Sequence, residues 1–160
     1  GPLVWQFDKG QQIDATGFEA FVGLLPTEYN GRRLRHVLDV RDPAFITPDY
    51  LALARRHGMA TVFTDSSEYP SFADLTADFV YARLMRSQPG IETGYAAADL
   101  DAWSKRAREW SGGGDPDDLP HVETVRHANS PRDVFLYFIS SAKERNPAAA
   151  VALLKRLGLA

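Results

Sequence analysis

Six polar side chains stand where short apolar runs end: Gln6, Asp39, Arg41, Asp65, Arg83 and Ser140. The runs are rich in Val, Phe, Tyr and Leu and apolar on both faces, as parallel strands covered by helices are. Polar groups at the carboxyl ends of such strands are where α/β proteins place their chemistry. Alternation puts Asp39 and Arg41 on one strand face, and Tyr81 and Arg83 on another. If both faces point inward, one mouth holds two carboxylates and two guanidiniums. The expected chemistry is recognition of a small anionic or sugar-like metabolite. Arg41 and Arg83 would hold its carboxylate or phosphate, Gln6 and Ser140 would add polar contacts, and Asp39 or Asp65 would carry a proton. The competing reading of the same residues is a buried ion-pair network that fixes strand ends.

A second cluster comprises Arg86-Ser87 and the run Ser140-Ser141-Ala142-Lys143-Glu144-Arg145, just before a helix opened by Asn146-Pro147. Free amides and the dipole at a helix N-terminus favour an anion, and Lys143 and Arg145 would assist. The alternative there is a solvated charged loop. Of the four histidines, His36 lies near a strand start, His57 in the last turn of a helix, and His121 and His127 in a long connection. None is at a strand end and their spacing is not that of a zinc site, so no metal is assigned. The sequence specifies no cofactor. Ser66-Ser67 and Ser140-Ser141 have no His partner, which argues against a serine triad.

The elements that must position these groups are legible. Strands are expected at Leu3 to Phe7, Arg35 to Arg41, Ala60 to Asp65, Asp78 to Leu84 and Asp133 to Ile139. Asp14 can cap a first helix whose apolar face is Phe18, Phe21, Val22 and Leu25, ended by Pro26. Thr47-Pro48 is an N-cap followed by proline at the first helical position, and Arg55, Arg56 and His57 close that helix before Gly58. The connection around Pro70 to Thr76 has room for only a short helix. A fourth helix, Asp99 to Trp110, carries Leu100, Trp103, Ala107 and Trp110 on one stripe, and Asn146 is expected to cap the last, which Gly158 ends. Gly112 to Asp118 is rich in Gly and Asp, so 111–131 reads as a mobile loop insertion. No glycine-rich fingerprint follows the first strand, which argues against dinucleotide binding.

Strict alternation of strand and helix argues a parallel sheet. The chain of 160 residues fits one domain, and five βα units are five-eighths of a (β/α)8 barrel, so 1–160 reads as a single domain or barrel fragment. The alternative is a complete five-stranded open sheet. A net charge of -3 and a pI near 5.8 give no footprint for nucleic acid or an anionic membrane surface. The longest apolar stretches, such as Val134 to Ile139, are too short to span a bilayer. The absence of Cys removes disulfide and thiolate chemistry and suits a reducing cytoplasm.

Several segments in order, Gly1 to Gln6, Leu24-Leu25-Pro26, Asp39 to Phe45, Thr64-Asp65, Thr76 to Leu84 and Val134 to Phe138, resemble the domain of unknown function 72 family. The resemblance covers essentially the whole chain and implies the last five βα units of a TIM barrel. Where the family often has Glu, Arg and His at the fifth-strand end, this chain has Asp39, Arg41 and Asp42. Met85-Arg86 replaces the usual His-Gly, and Ile139-Ser140-Ser141 the common Asn-Asn-Asp. The resemblance therefore implies a fold and candidate positions rather than an activity. A partial barrel exposes two sheet edges, so self-association is expected.

Overall fold

In a computed structural model describing residues 1–10, 14–124 and 129–160, five parallel strands form one sheet flanked by helices. The strands are β1 (Leu3–Phe7), β4 (His36–Val40), β5 (Ala60–Thr64), β6 (Phe79–Leu84) and β7 (Asp133–Phe138), in the spatial order β1-β4-β5-β6-β7. A short antiparallel pair, β2 (Glu28–Tyr29) and β3 (Arg32–Arg33), precedes β4. The helices are α1 (Ala15–Gly23), α2 (Pro48–Arg56), α3 (Ala97–Ser111) and α4 (Asn146–Leu157). β1 and β7 are the two edges.

Alternation along each strand sorts side chains onto two faces. On the helix side, Phe7, Leu38 and Val40 pack with Phe18 and Val22 of α1 and Leu51 and Ala54 of α2. Phe63, Val80, Ala82 and Leu84 pack with Leu100, Trp103 and Trp110 of α3 and Ala149 and Leu153 of α4. The opposite face carries Val37, Ala60, Val62, Phe79 and Tyr81, with Val4 and Phe135 against them. The mutual burial of that third set makes this face the interior of a partly wrapped barrel wall.

The punctuation acts largely as the sequence indicates. Asp14 accepts the Gly17 amide at 2.7 Å to open α1, and Thr47 accepts that of Tyr50 at 3.2 Å to open α2. Gly158 ends α4 in the left-handed region at φ 76°. Asn146 departs from its expected capping role. A 3-10 turn, Lys143–Arg145, runs directly into α4, so no extended residue is available as a side-chain cap. Asn146 is the first helical residue, and its Nδ2 donates to the Ser140 carbonyl at 3.1 Å. The expected short helix around Pro70 to Thr76 is also absent, because that segment is spent on other partners. Thr76 accepts the Thr61 amide and donates to the Met59 carbonyl, and Asp74 accepts the Val122 and Glu123 amides. Those contacts fasten part of the 111–131 connection, in which Leu119 is buried and Arg132 donates to the carbonyls of Gly113 and Gly114. His127 and the rest of 125–128 lie outside the described residues.

His36 belongs to the framework. Its Nδ1 accepts from Trp5 Nε1 at 3.0 Å, so Nε2 carries the proton and donates to the Pro26 carbonyl at 2.7 Å. At the amino ends of the strands, Arg35 pairs with Asp133 at 2.6 Å and lies over the rings of Phe79 and Phe135. The opposite, carboxyl-terminal rim holds the candidate site.

Candidate functional site

Gln6 and Asp39 are register partners on β1 and β4, and Thr64 and Arg83 are partners on β5 and β6. The interior face thus gathers polar groups within its last two layers. Arg83 reaches diagonally across β5 to place Nη1 2.5 Å from Asp39 Oδ2, and Arg41 brings Nη2 to 3.4 Å of the same oxygen. Asp39 is 6% exposed, and the two arginine side chains 17% and 16%. Both contacts fall on Oδ2, and Oδ1 has no hydrogen bond among the described residues. The guanidinium of Arg41 also stacks 4.3 Å from the ring centroid of Tyr69, in the loop after β5. Arg83 lies 5.9 Å over Tyr81, whose own ring stands 5.1 Å from that of Tyr137. The triad carries one more positive than negative charge.

Asp65 does not join this mouth. It follows the parity of Phe63 and turns to the helix side, accepting the Met85 amide at 2.6 Å and the Tyr95 hydroxyl at 3.1 Å. Tyr95 in turn accepts the Arg86 amide at 2.7 Å. Burial raises the Asp65 carboxyl above the usual carboxylate range, with the Met85 amide and Tyr95 hydroxyl opposing, and burial likewise raises the Tyr95 phenol. Asp65 lines a cleft of about 340 Å³ with Arg86, Asp99, Trp103 and Arg106. Asp39 and Asp65 therefore do not converge on one cation, and the described residues hold no group of three or more His, Cys, Asp or Glu arranged for a metal.

Beyond the arginines, the ends of β5, β6 and β7 border a polar depression of about 540 Å³ lined by Ser66, Ser67, Glu68, Tyr69, Arg86, Ser87, Ser140 and Ser141, among others. Ser140 and Ser141 are both left-handed, at φ 60° and 46°. Ser141 donates to the Met85 carbonyl at 2.5 Å, tying the rims of β6 and β7 together. The rest of the second cluster disperses. Lys143 is exposed, with no side-chain hydrogen bond or ion pair among the described residues. Arg145 donates to the Pro89 carbonyl at 3.1 Å. Gln6 is exposed at the mouth, its Nε2 on Asp8 at 2.8 Å. Asp42 is a loop staple: it accepts the amides of Ala44 and Gly10, which hold its carboxyl below the usual range.

Tyr69, Tyr81 and Tyr137 are the site's unassigned members. For Tyr81 and Tyr137 the signal was parity, since Tyr137 shares a face with Phe135 and stands beside Arg83 in register, whereas Tyr69 is in a loop and carried no such signal.

These features define an α/β protein with a parallel, barrel-like wall and a polar mouth at its carboxyl-terminal rim. The chain belongs to the family described as protein of unknown function DUF72, which it matches over residues 1–160. Two solved structures of a DUF72 family protein from Enterococcus faecalis V583 share its fold. They are 13% and 11% identical, with TM-scores of 0.67 and 0.65; each covers 99% of this chain, and the match takes up 61% and 59% of theirs. A DUF72 family protein from Thermotoga maritima MSB8 is 15% identical with a TM-score of 0.60, over 98% of this chain and 56% of that one. The chain thus spans about three-fifths of the length of these relatives. No curated protein matches it. Among the described residues no helix is long and apolar enough to cross a membrane.

Proposed function

We propose that this chain supplies the mouth of a barrel that binds a small anionic or sugar-like metabolite, with Arg41 and Arg83 as its anion ligands. The observation that carries this reading is the sharing of one carboxylate oxygen of Asp39 by both guanidiniums, at 2.5 and 3.4 Å. Two forks on one oxygen leave most of their donors and a net positive charge for an incoming carboxylate or phosphate. Gln6 and Ser140 flank the mouth as polar contacts. In the enzymatic form of this reading Asp39 carries the proton. Lys143 and Arg145 contribute at most through long-range charge, because Lys143 stands in solvent and Arg145 is engaged elsewhere.

Binding without turnover is the second reading, and one observation favours it. Asp65, the other candidate proton carrier, faces the helix layer, so a pair of carboxylates does not flank one substrate. The acidic pI argues against a polyanionic nucleic-acid partner, and the lack of Cys fits a cytoplasmic setting.

Calorimetric titration with inorganic phosphate tests the anion site. Arg41→Gln should weaken binding about tenfold, or about 1.4 kcal/mol, without altering the fold. Unchanged affinity in both Arg41→Gln and Arg83→Gln would refute the assignment. Turnover of a bound phosphorylated or carboxylated sugar that vanishes in Asp39→Asn while affinity persists would select the enzyme over the binder.

A further inference from the structure

We infer that the ligand of the arginine mouth contains a hydroxylated ring, as in a sugar phosphate, and that Tyr137 is the platform on which the ring lies. This rests on the reading of Arg41 and Arg83 as anion ligands and adds the rest of the molecule. Tyr137 points to the interior face, yet it is 41% exposed, whereas Phe79, Tyr81 and Val62 on that face are buried. Its strand partner in register is Arg83, so ring and guanidinium are side by side at the same height of the wall. Tyr81 backs it at 5.1 Å with an interplanar angle of 32°, and on the edge strand β7 the ring keeps exposed surface for a ligand. An exposed aromatic ring beside a fixed cation suits a ligand with a flat or ring-shaped body and an anionic substituent.

The surroundings select the chemistry of that body. Continuing outward along β6 and β7 from Arg83 and Tyr137, the chain enters the depression whose walls include Ser87, Ser140, Ser141 and Glu68. Hydroxyls and a carboxylate match the donors and acceptors of a polyol, whereas a purely aromatic body would strip water from them without return. A pyranose satisfies both halves: its C–H face lies on Tyr137 and its hydroxyls face the serines. Its phosphate or carboxylate takes the arginines.

The test is calorimetric titration of the protein with inorganic phosphate, glucose 6-phosphate and phenyl phosphate. Glucose 6-phosphate is expected to bind at least tenfold more tightly than inorganic phosphate and more tightly than phenyl phosphate. Tyr137→Ala should remove that advantage while leaving inorganic phosphate unchanged, and Tyr137→Phe should keep it, because the ring and not the hydroxyl is required. An unchanged melting midpoint in both variants separates platform loss from misfolding. Phosphate binding with no gain from the sugar, or a gain that survives Tyr137→Ala, overturns the platform and leaves the arginine site standing. Tighter binding of phenyl phosphate overturns the sugar assignment. Failure of all three probes overturns both this inference and the reading beneath it.

Discussion

Replacing Arg83 with Met separates a structural from a ligand-holding role for the Asp39 cluster. At an effective dielectric near 20, a unit pair at the Arg83–Asp39 distance of 2.5 Å is worth about 7 kcal/mol, and one at the Arg41–Asp39 distance of 3.4 Å about 5 kcal/mol. Desolvating each ion costs several kcal/mol, so neither figure is a net stabilisation; the measurable quantity is the penalty for leaving Asp39 with one partner. Loss of one member of a buried pair costs about 3–5 kcal/mol. Arg41 remains on the same oxygen, so the lower end, about 3 kcal/mol, is expected for Arg83→Met. For a chain of this size that lowers the melting midpoint by about 6–12 °C. Arg41→Met, which removes the longer contact and a stack on Tyr69, should cost only about 1 kcal/mol. Urea unfolding at neutral pH, with the slope checked against wild type, gives each value. Replacing all three members, Arg83→Met with Arg41→Met and Asp39→Leu, should restore most of the loss, since no charge of the cluster is then stranded. A cost below about 1 kcal/mol for Arg83→Met would show that water screens the pair and refute the reasoning from burial.

Three further outcomes follow from other parts of the molecule. Gly113→Ala should cost about 2 kcal/mol or more, because its Cβ would lie 2.7 Å from the Ser130 amide nitrogen at a φ of +98°, and a melting midpoint within 2 °C of wild type, on the order of the ~1 kcal/mol scale, would contradict it. Burial raises the Asp65 carboxyl above its unfolded value of 3.8, so the folded state holds the extra proton between the two values and its stability falls as pH rises through that window. Urea unfolding should show that fall shrink in Asp65→Asn; identical pH slopes would show that Asp65 does not titrate there. The outer edges of β1 and β7 pair with no strand among the described residues, so the isolated chain should self-associate through them, and a monodisperse monomer in light scattering at high concentration would rule this out.

The five strands were legible to within a residue or two because each is a short apolar run with Pro, Gly or Asp flanking at least one end. Helix starts were legible at Asp14 and Thr47, where one side chain reaches one amide, and at Asn146, the first residue of α4, although the preceding turn had already taken up helical geometry and removed its capping role. Side-chain parity correctly joined Asp39 to Arg41, since Arg41 directly follows β4 and its amide still donates to the Phe7 carbonyl of β1. It could not join Asp65 to them, because strands apolar on both faces do not announce which face is interior, and that choice depends on register between strands. Thr64 pairs with Arg83, which sends Asp65 to the helix side.

That one-residue offset decides more than a location. On the interior face the Asp39 carboxylate is buried against the guanidiniums of Arg41 and Arg83, and in the proposed function that cluster organises a ligand. Asp65 is enclosed by an amide and a phenol that hold the ends of β5 and β6 together, and it is bound to the framework before any ligand arrives. On the proposed reading the division between the two faces leaves binding to Asp39, Arg41 and Arg83, while Asp65 holds the rim together through the Met85 amide and the Tyr95 hydroxyl.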